Sequence, residues 1–201
     1  MALNLPDTEA AAFIGKWRER WPEWGIAQVF LAPGQRELAE TWFAMLQEWT
    51  DAATTEEPAP GLAKLAWWQD ELRGWAKGAR RHPLGQRMHK HRLDWSALAD
   101  ALPALMRREG GFDAAALDRL AAALAEAERG LFEEDRDGHA GIGHALRSAL
   151  GEALAHLPRI DGTRPRRLIE ALRVGRPEGR PLSPWATLRS SWRAARAGPT
   201  V

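Results

Sequence analysis

The segment from Lys64 to Trp75 restricts the fold of this chain more than any other stretch. At about 100° per residue its apolar side chains gather on one broad arc of a helix, and these side chains are Leu65, Trp67, Trp68, Leu72 and Trp75. Lys64 and Glu71 fall within the same arc. Burying a charge is costly unless the charge is paired or solvated. Each of the two must therefore meet a partner on another helix or line a cavity.

Two interpretations of this helix remain open. In the first, the indoles of Trp67, Trp68 and Trp75 wall an apolar ligand pocket, and Lys64 and Glu71 stand at its polar mouth. In the second, the helix belongs to a filled core, and its neighbours supply partners for both charges. Aromatic stripes at helical spacing most often belong to a core.

The rest of the chain is also typical of helices, and no segment alternates in the manner of a strand. Ala and Leu dominate the hydrophobic 45% of the residues, and β-branched residues are few, which favours helix over sheet. A length of 201 residues suggests one domain. We predict an all-α, single-domain bundle of about seven or eight helices.

Local signals place most of the helix ends. Asp94, Asp113 and Ser183 are predicted N-caps, and Pro184 suits the first position of the last helix. Other helices are predicted over residues 8–20, from Leu38 with its stripe running to Ala53, over 62–79, and around the apolar residues of 142–157. The stretch 54–61 contains two Pro and is predicted to be a loop.

The lack of cysteine and tyrosine removes several kinds of chemistry. Without Cys the chain has no disulfide, thiolate metal site or cysteine nucleophile, and without Tyr it has no phenol to act as an acid, base or donor. No apolar run approaches the roughly 18 residues of a membrane span, and no early segment resembles a signal peptide. We expect a cytoplasmic protein that meets a membrane, if at all, at the membrane's surface.

Positive charge is concentrated at the C-terminal end. From Arg159 to Val201 there are ten Arg, no Lys and three acids, a balance of +7 that leaves −6 on the rest of the chain. We predict a helical domain over residues 1–174. Residues 175–201 are predicted to form a linker rich in Pro, Gly and Arg, followed by a basic amphipathic helix.

This last helix separates apolar from cationic side chains. The apolar side carries Trp185, Leu188, Trp192 and Ala195, and the adjacent side carries Arg189, Arg193 and Arg196. Trp beside Arg suits the headgroup boundary of an anionic membrane. The alternative is a helix that docks onto the body of the protein with solvated arginines. No nucleic-acid-binding motif accompanies the basic residues, so nucleic acid is not an expected partner.

Glu48 and Asp51 are weak candidates for a metal site. They are three residues apart on one helix and could share a Mg²⁺ ion. Two carboxylates are few for magnesium bound to a diphosphate, and Asp51 lies opposite the apolar stripe of its helix, which favours a solvated acid. The histidines lack the spacing of a zinc site. We expect no metal or other cofactor.

The Trp-rich segment resembles a signature of the squalene/phytoene synthase family. Residues 64–72 read K-L-A-W-W-Q-D-E-L, with His82-Pro83-Leu84 downstream, and are similar to the family's K-L-x-W-W-R-x-E-L followed by H-P-V. Residues 44–55 lie where the family has its first aspartate-rich motif, and the match covers roughly residues 25–90. The resemblance implies the isoprenoid synthase fold, with a central cavity for prenyl chains and diphosphate held by Mg²⁺ clusters.

The chain departs from the family pattern at both metal-binding motifs. In the first, only Asp51 aligns with a metal-binding aspartate, and Thr50 replaces its partner. The second should lie in the helix after Gly141, which offers one acid, Glu152. The resemblance therefore implies a catalytically inactive member that binds an isoprenoid lipid or a protein partner near the membrane. The alternatives are an active Mg²⁺-dependent head-to-head prenyltransferase with an atypical metal site, and a helical scaffold without a ligand pocket.

Overall fold

A computed structural model of the protein describes residues 5–88, 91–106, 113–132 and 162–196, with side chains from residue 8 onward. These ranges contain nine α-helices, three 3₁₀-helices and no strand, so the all-α prediction is confirmed for them. The α-helices are α1 Leu5–Arg20, α2 Trp24–Ala27, α3 Pro33–Thr54, α4 Pro58–Ala76, α5 Pro83–Met88, α6 Trp95–Ala101, α7 Ala114–Leu131, α8 Arg164–Gly175 and α9 Pro184–Arg196. The 3₁₀-helices are Gln28–Phe30, Leu102–Leu105 and Pro177–Gly179. The helix count exceeds the predicted seven or eight because of short elements such as α2, which has only 4 residues.

Several predictions concern residues outside the described ranges. They are the helix around 142–157 with Glu152, and the histidines His89, His139 and His144. Within the described ranges, no helix combines the length and the apolarity needed to cross a membrane.

The predicted caps are confirmed. Asp94 accepts a hydrogen bond from the amide of Ala97 at 2.8 Å, Asp113 accepts from Ala115 at 3.0 Å, and Ser183 accepts from Ala186 at 3.4 Å. Each satisfies an amide in the first turn of its helix that has no partner within the helix.

The predicted loop at 54–61 is wrong in its second half. α4 begins at Pro58 and includes Pro60. Proline is tolerated in the first turn, because the amides there have no acceptor within the helix and the fixed φ of proline already suits a helix. In the same way α3 begins at Pro33, earlier than its apolar stripe suggests.

α3 lies at the centre of the described helices. It packs against α1, α4 and α5, and its side chains Trp42, Met45 and Trp49 are at most 2% exposed. α4 in turn packs against α6, and α6 packs against α7. The Trp-rich helix α4 therefore packs against both α3 and α6.

Buried carboxylates connect helices that are far apart in sequence. Glu128 on α7 accepts hydrogen bonds from Trp42 on α3 at 2.7 Å and from Arg166 on α8. Glu40 on α3 is buried and paired with two nitrogens of Arg18 on α1. Pairing of this kind is what allows an acid to leave solvent.

The C-terminal helix α9 packs against α8 and α2. The face that contacts the body carries Thr187 and Ser191, which are 1% and 0% exposed. Two groups in the segment before α9, the Leu182 amide and the Arg176 guanidinium, donate hydrogen bonds to the carboxylate of Glu23. Burial alone would raise the pKa of Glu23, but these hydrogen bonds outweigh it and hold the pKa below its usual range.

Candidate functional site

The indoles of α4 pack into the core. Trp68 is fully buried, with its ring centroid 5.9 Å from that of Trp49 and 4.4 Å from that of His82. Trp75 lies edge-on to Trp95 at 4.9 Å, and a Cβ added at Gly85 would come within 2.6 Å of the Trp75 ring. These two rings thus fill the space around them, as the filled-core interpretation expects.

Trp67 differs from the other indoles of α4. It lies at the edge of the apolar arc and is 36% exposed. The guanidinium of Arg81 stands over its ring at 5.4 Å, a cation–π contact. Trp67 therefore lies at the exposed edge of the aromatic side chains of α4.

The buried Glu71 finds its partners within its own helix and in the turn that follows, and not on another helix as the sequence predicts. Its carboxylate accepts hydrogen bonds from the Trp75 indole at 2.8 Å, from the amides of Arg81 and His82, and from Nε of Arg81. Burial alone would raise the pKa of Glu71, but the bonds from the His82 amide, Trp75 and Arg81 hold it below its usual range. Glu71 thus organises the turn between α4 and α5.

Lys64 meets its partner on the neighbouring helix. Its ammonium lies 2.5 Å from Oε2 of Glu48 on α3. His82 lies near both and contacts the Phe13 ring at 4.7 Å. Burial lowers the pKa of His82 from 6.5 to about 4, so the imidazole is neutral at physiological pH. The two charges of the Trp-rich arc are therefore satisfied by neighbours.

The weak metal candidates are held by cationic side chains. Lys16 on α1 lies between them, with its ammonium 3.3 Å from Glu48 and 3.5 Å from Asp51. Arg20 binds both oxygens of Asp51 at 2.7 and 3.1 Å. All four carboxylate oxygens of the pair are thus engaged, with Lys64 on the remaining oxygen of Glu48.

Asp51 is a partly exposed acid that is paired with cationic side chains. Its side chain is 23% exposed. Burial alone would raise its pKa, but Gln47, Arg20 and Lys16 together lower it. The helical wheel of α3 could not show this, because Lys16 and Arg20 belong to another helix. Among the described residues, no group of three or more His, Cys, Asp or Glu could hold a metal ion.

The predicted membrane-contact residues lie on the face of α9 that points away from the body. Trp185 is 78% exposed, Trp192 is 49% exposed, and both are among the most exposed large hydrophobic side chains described. Arg189, Arg193 and Arg196 are exposed on the same half of the helix, and Arg196 stands over the Trp192 ring at 4.7 Å. Neither Arg189 nor Arg193 forms an ion pair with any residue in the described ranges.

A groove runs between this face and the 3₁₀-helix Gln28–Phe30. It has a volume of about 680 Å³ and is lined by Phe30, Trp185, Leu188, Arg189 and Trp192. We call these five residues the α9 groove. Val29, beside Phe30, is a further exposed apolar residue, 54% exposed. Sequence reasoning missed Phe30 and Val29, although the apolar stretch 26–31 just before Pro33 was visible.

A second cavity, of about 160 Å³, lies between α1, α3 and α8, with Trp17, Phe43, Arg166 and Arg173 among its lining residues. Arg166 is bound to Glu128 and stands over the Phe43 ring, and Arg173 is bound to Glu170. The charged groups here thus have partners within the protein.

Comparison with known proteins gives no family or relative for the chain, because no protein-family model, curated protein or solved structure matches it.

Proposed function

We propose that the chain is a catalytically inactive, squalene/phytoene synthase-like helical protein that binds the surface of anionic membranes through α9. One observation carries the membrane part: the apolar face of α9 points outward, and its small polar face packs on the body. Trp185, Leu188 and Trp192 are 78%, 38% and 49% exposed. A helix that docked only to complete the core would be expected to bury these side chains and expose Thr187 and Ser191.

The charges beside the apolar face favour anionic lipid over other occupants. α9 carries three Arg and no acid. Each cationic side chain near an anionic surface contributes about 1 kcal/mol to binding. Trp and Arg together suit the interface, because the indoles enter the acyl boundary while the guanidinium groups stay among the headgroups.

The inactivity part of the proposal is supported by the Glu48–Asp51 pair. Ionising a diphosphate requires several cations, usually metal ions, to stabilise the departing charge. Here Lys16, Arg20 and Lys64 occupy the carboxylate oxygens that a metal ion would need. An isoprenoid synthase type of shell remains part of this proposal, on the strength of the residue 64–72 signature alone.

Vesicle binding tests the membrane part. In co-flotation, the protein should bind vesicles of phosphatidylcholine containing phosphatidylglycerol more tightly than vesicles of phosphatidylcholine alone, and added salt should weaken the binding. The double variant Arg189→Glu with Arg193→Glu should weaken it about tenfold or more. The matched control, Arg92→Glu with Arg119→Glu, makes the same charge change at exposed positions away from α9 and should bind like the parent.

Other results would overturn this part of the proposal. If the control Arg92→Glu with Arg119→Glu loses as much vesicle binding as Arg189→Glu with Arg193→Glu, the net charge of the protein alone drives binding. A dimer in light scattering that separates on Trp185→Ser, without vesicle binding by the parent, would make the face an interface between copies. Vesicle binding that survives Arg189→Glu with Arg193→Glu would place the contact elsewhere in the chain.

Turnover tests the inactivity part. We expect no Mg²⁺-dependent release of pyrophosphate from farnesyl or geranylgeranyl diphosphate. Clear turnover that is lost on Asp51→Asn would establish the alternative, an active prenyltransferase with an atypical metal site.

A further inference from the structure

The α9 groove differs from a flat membrane-contact face. Phe30 forms one wall from a separate element, and the side chains of α9 form the other. Its volume of about 680 Å³ falls within the range of small-molecule sites, about 300–1,000 Å³.

The lining of the groove defines the chemistry of an occupant. Four of its five residues are aromatic or aliphatic, and the fifth is Arg189. Arg189 has no ion pair within the described residues. A ligand that satisfied this lining would be an apolar chain that ends in one anionic group, because the guanidinium offers several donors to a phosphate or carboxylate.

We propose that the α9 groove binds a single hydrocarbon chain of an anionic membrane lipid, with the lipid headgroup bound by Arg189. This inference rests on the proposed function, since α9 must first reach the membrane. The hydrocarbon chain of the lipid lies between Phe30 on one side and Trp185, Leu188 and Trp192 on the other. The phosphate of the headgroup stays at the protein surface. The protein then binds one lipid specifically, in addition to the general attraction of its arginines to the bilayer.

A soluble amphiphile separates this inference from vesicle binding. In isothermal titration calorimetry, dodecyl phosphate below its critical micelle concentration should bind with one molecule per protein molecule. Dodecanol, which has the same hydrocarbon chain without the anion, should bind about tenfold more weakly or not at all. Arg189→Gln should weaken dodecyl phosphate binding about tenfold and leave dodecanol unchanged.

A groove-filling variant gives the sharpest comparison. Phe30→Trp places a larger aromatic side chain in the groove from the 3₁₀-helix Gln28–Phe30 and leaves the outer face of α9 unchanged. It should abolish dodecyl phosphate binding and leave vesicle flotation intact. The control Val174→Trp adds the same side chain at an exposed position on α8, 68% exposed, and should change neither.

The outcomes distinguish the two proposals. Vesicle binding without stoichiometric dodecyl phosphate binding overturns the proposal that the α9 groove binds a lipid. The proposal that α9 binds the membrane surface then stands. If Phe30→Trp loses both dodecyl phosphate binding and vesicle binding, with a circular dichroism spectrum like that of the parent, the groove and the outer face of α9 do not have separate roles. Failure of the parent to bind either probe overturns both proposals. Stoichiometric dodecyl phosphate binding that Phe30→Trp does not alter places the lipid outside the groove.

Discussion

At the residue scale, Glu71 shows why a charge can lie within an apolar arc. Its carboxylate accepts four hydrogen bonds and leaves no oxygen facing hydrocarbon without a partner. Two of the donors are backbone amides, those of Arg81 and His82, which a turn leaves without helical acceptors. The acid therefore belongs to the structure of the α4–α5 turn, and a ligand is not required to explain it.

Replacing Glu71 by Gln should destabilise the protein by about 2–4 kcal/mol. The amide retains one acceptor oxygen, but its NH₂ group faces donors that the carboxylate satisfied. Urea denaturation followed by circular dichroism measures this change. Glu56→Gln, at an exposed position, is the control and should lie close to the parent. A Glu71→Gln protein as stable as the parent would show that the carboxylate is dispensable to the turn.

His82 gives the protein a specific response to acid. Its pKa is lowered from 6.5 to about 4, because burial disfavours the charged imidazolium. The unfolded chain binds this proton first as the pH falls. The stability that the neutral ring contributes is therefore complete above pH 6.5 and is lost as the pH falls from 6.5 towards 4.

The free energy of unfolding should fall by about 1 kcal/mol between pH 7 and pH 5 through His82. Glu71, Asp51 and Glu23, whose pKa values are lowered, add their loss of stability only at more acidic pH, below the ordinary pKa of 4.5 for glutamate and 3.8 for aspartate. His82→Asn should flatten the profile over the upper window. A profile with the same slope in parent and variant would assign the acid response to other groups.

At the element scale, the face by which α9 packs on the body carries polar side chains whose burial is unfavourable. The hydroxyl oxygens of Thr187 and Ser191 are buried without a hydrogen-bond partner in the described part of the chain. A buried hydroxyl without a partner costs about 1–3 kcal/mol. The other half of the helix carries the Trp and Arg side chains that we assign to the membrane.

Thr187→Val should stabilise the protein by about 1 kcal/mol, because valine has nearly the same shape and removes the unsatisfied hydroxyl. Thermal unfolding measures this, with Thr54→Val as the control, since the Thr54 hydroxyl is exposed and bound to the carbonyl of Thr50. A Thr187→Val protein less stable than the parent would mean that the hydroxyl has a partner in the folded protein.

The buried carboxylate of Glu128 connects α7 to α3 and α8 through its hydrogen bonds. Glu128→Ala leaves Arg166 buried without its partner, which should cost about 3–5 kcal/mol. The paired change Glu128→Leu with Arg166→Met removes both charges and should recover most of this loss, measured by urea denaturation. If the double variant is no more stable than Glu128→Ala, packing around Arg166 is more important than its charge.

Local signals in the sequence predicted the elements well. Asp94, Asp113 and Ser183 act on amides two or three residues away, so their roles are visible in a short stretch. The start of α4 at Pro58 was missed because two prolines indicated a loop, although a first turn tolerates both. Trp67 and Trp68 are adjacent, and only their packing against other helices separates the 36% exposed ring from the fully buried one.

At the scale of the whole molecule, the sequence could not place partners that come from distant elements. Asp51 is paired by Arg20, 31 residues away, and Glu128 by Arg166, 38 residues away. The pattern within α9 indicated its two sides correctly, but which side would face the body depends on α2 and α8. Likewise, Phe30 became part of the α9 groove only through folding.

The central claim is that the apolar face of α9 enters the membrane. Because the chain contains no Cys, a single Leu188→Cys variant carries one fluorescent nitrobenzoxadiazole label at that face, and Arg119→Cys carries it on α7. On addition of anionic vesicles with brominated acyl chains, we expect the label at 188 to shift to the blue and be quenched, while the label at 119 is unchanged. A label at 188 that stays in water while the protein floats with the vesicles would contradict the account.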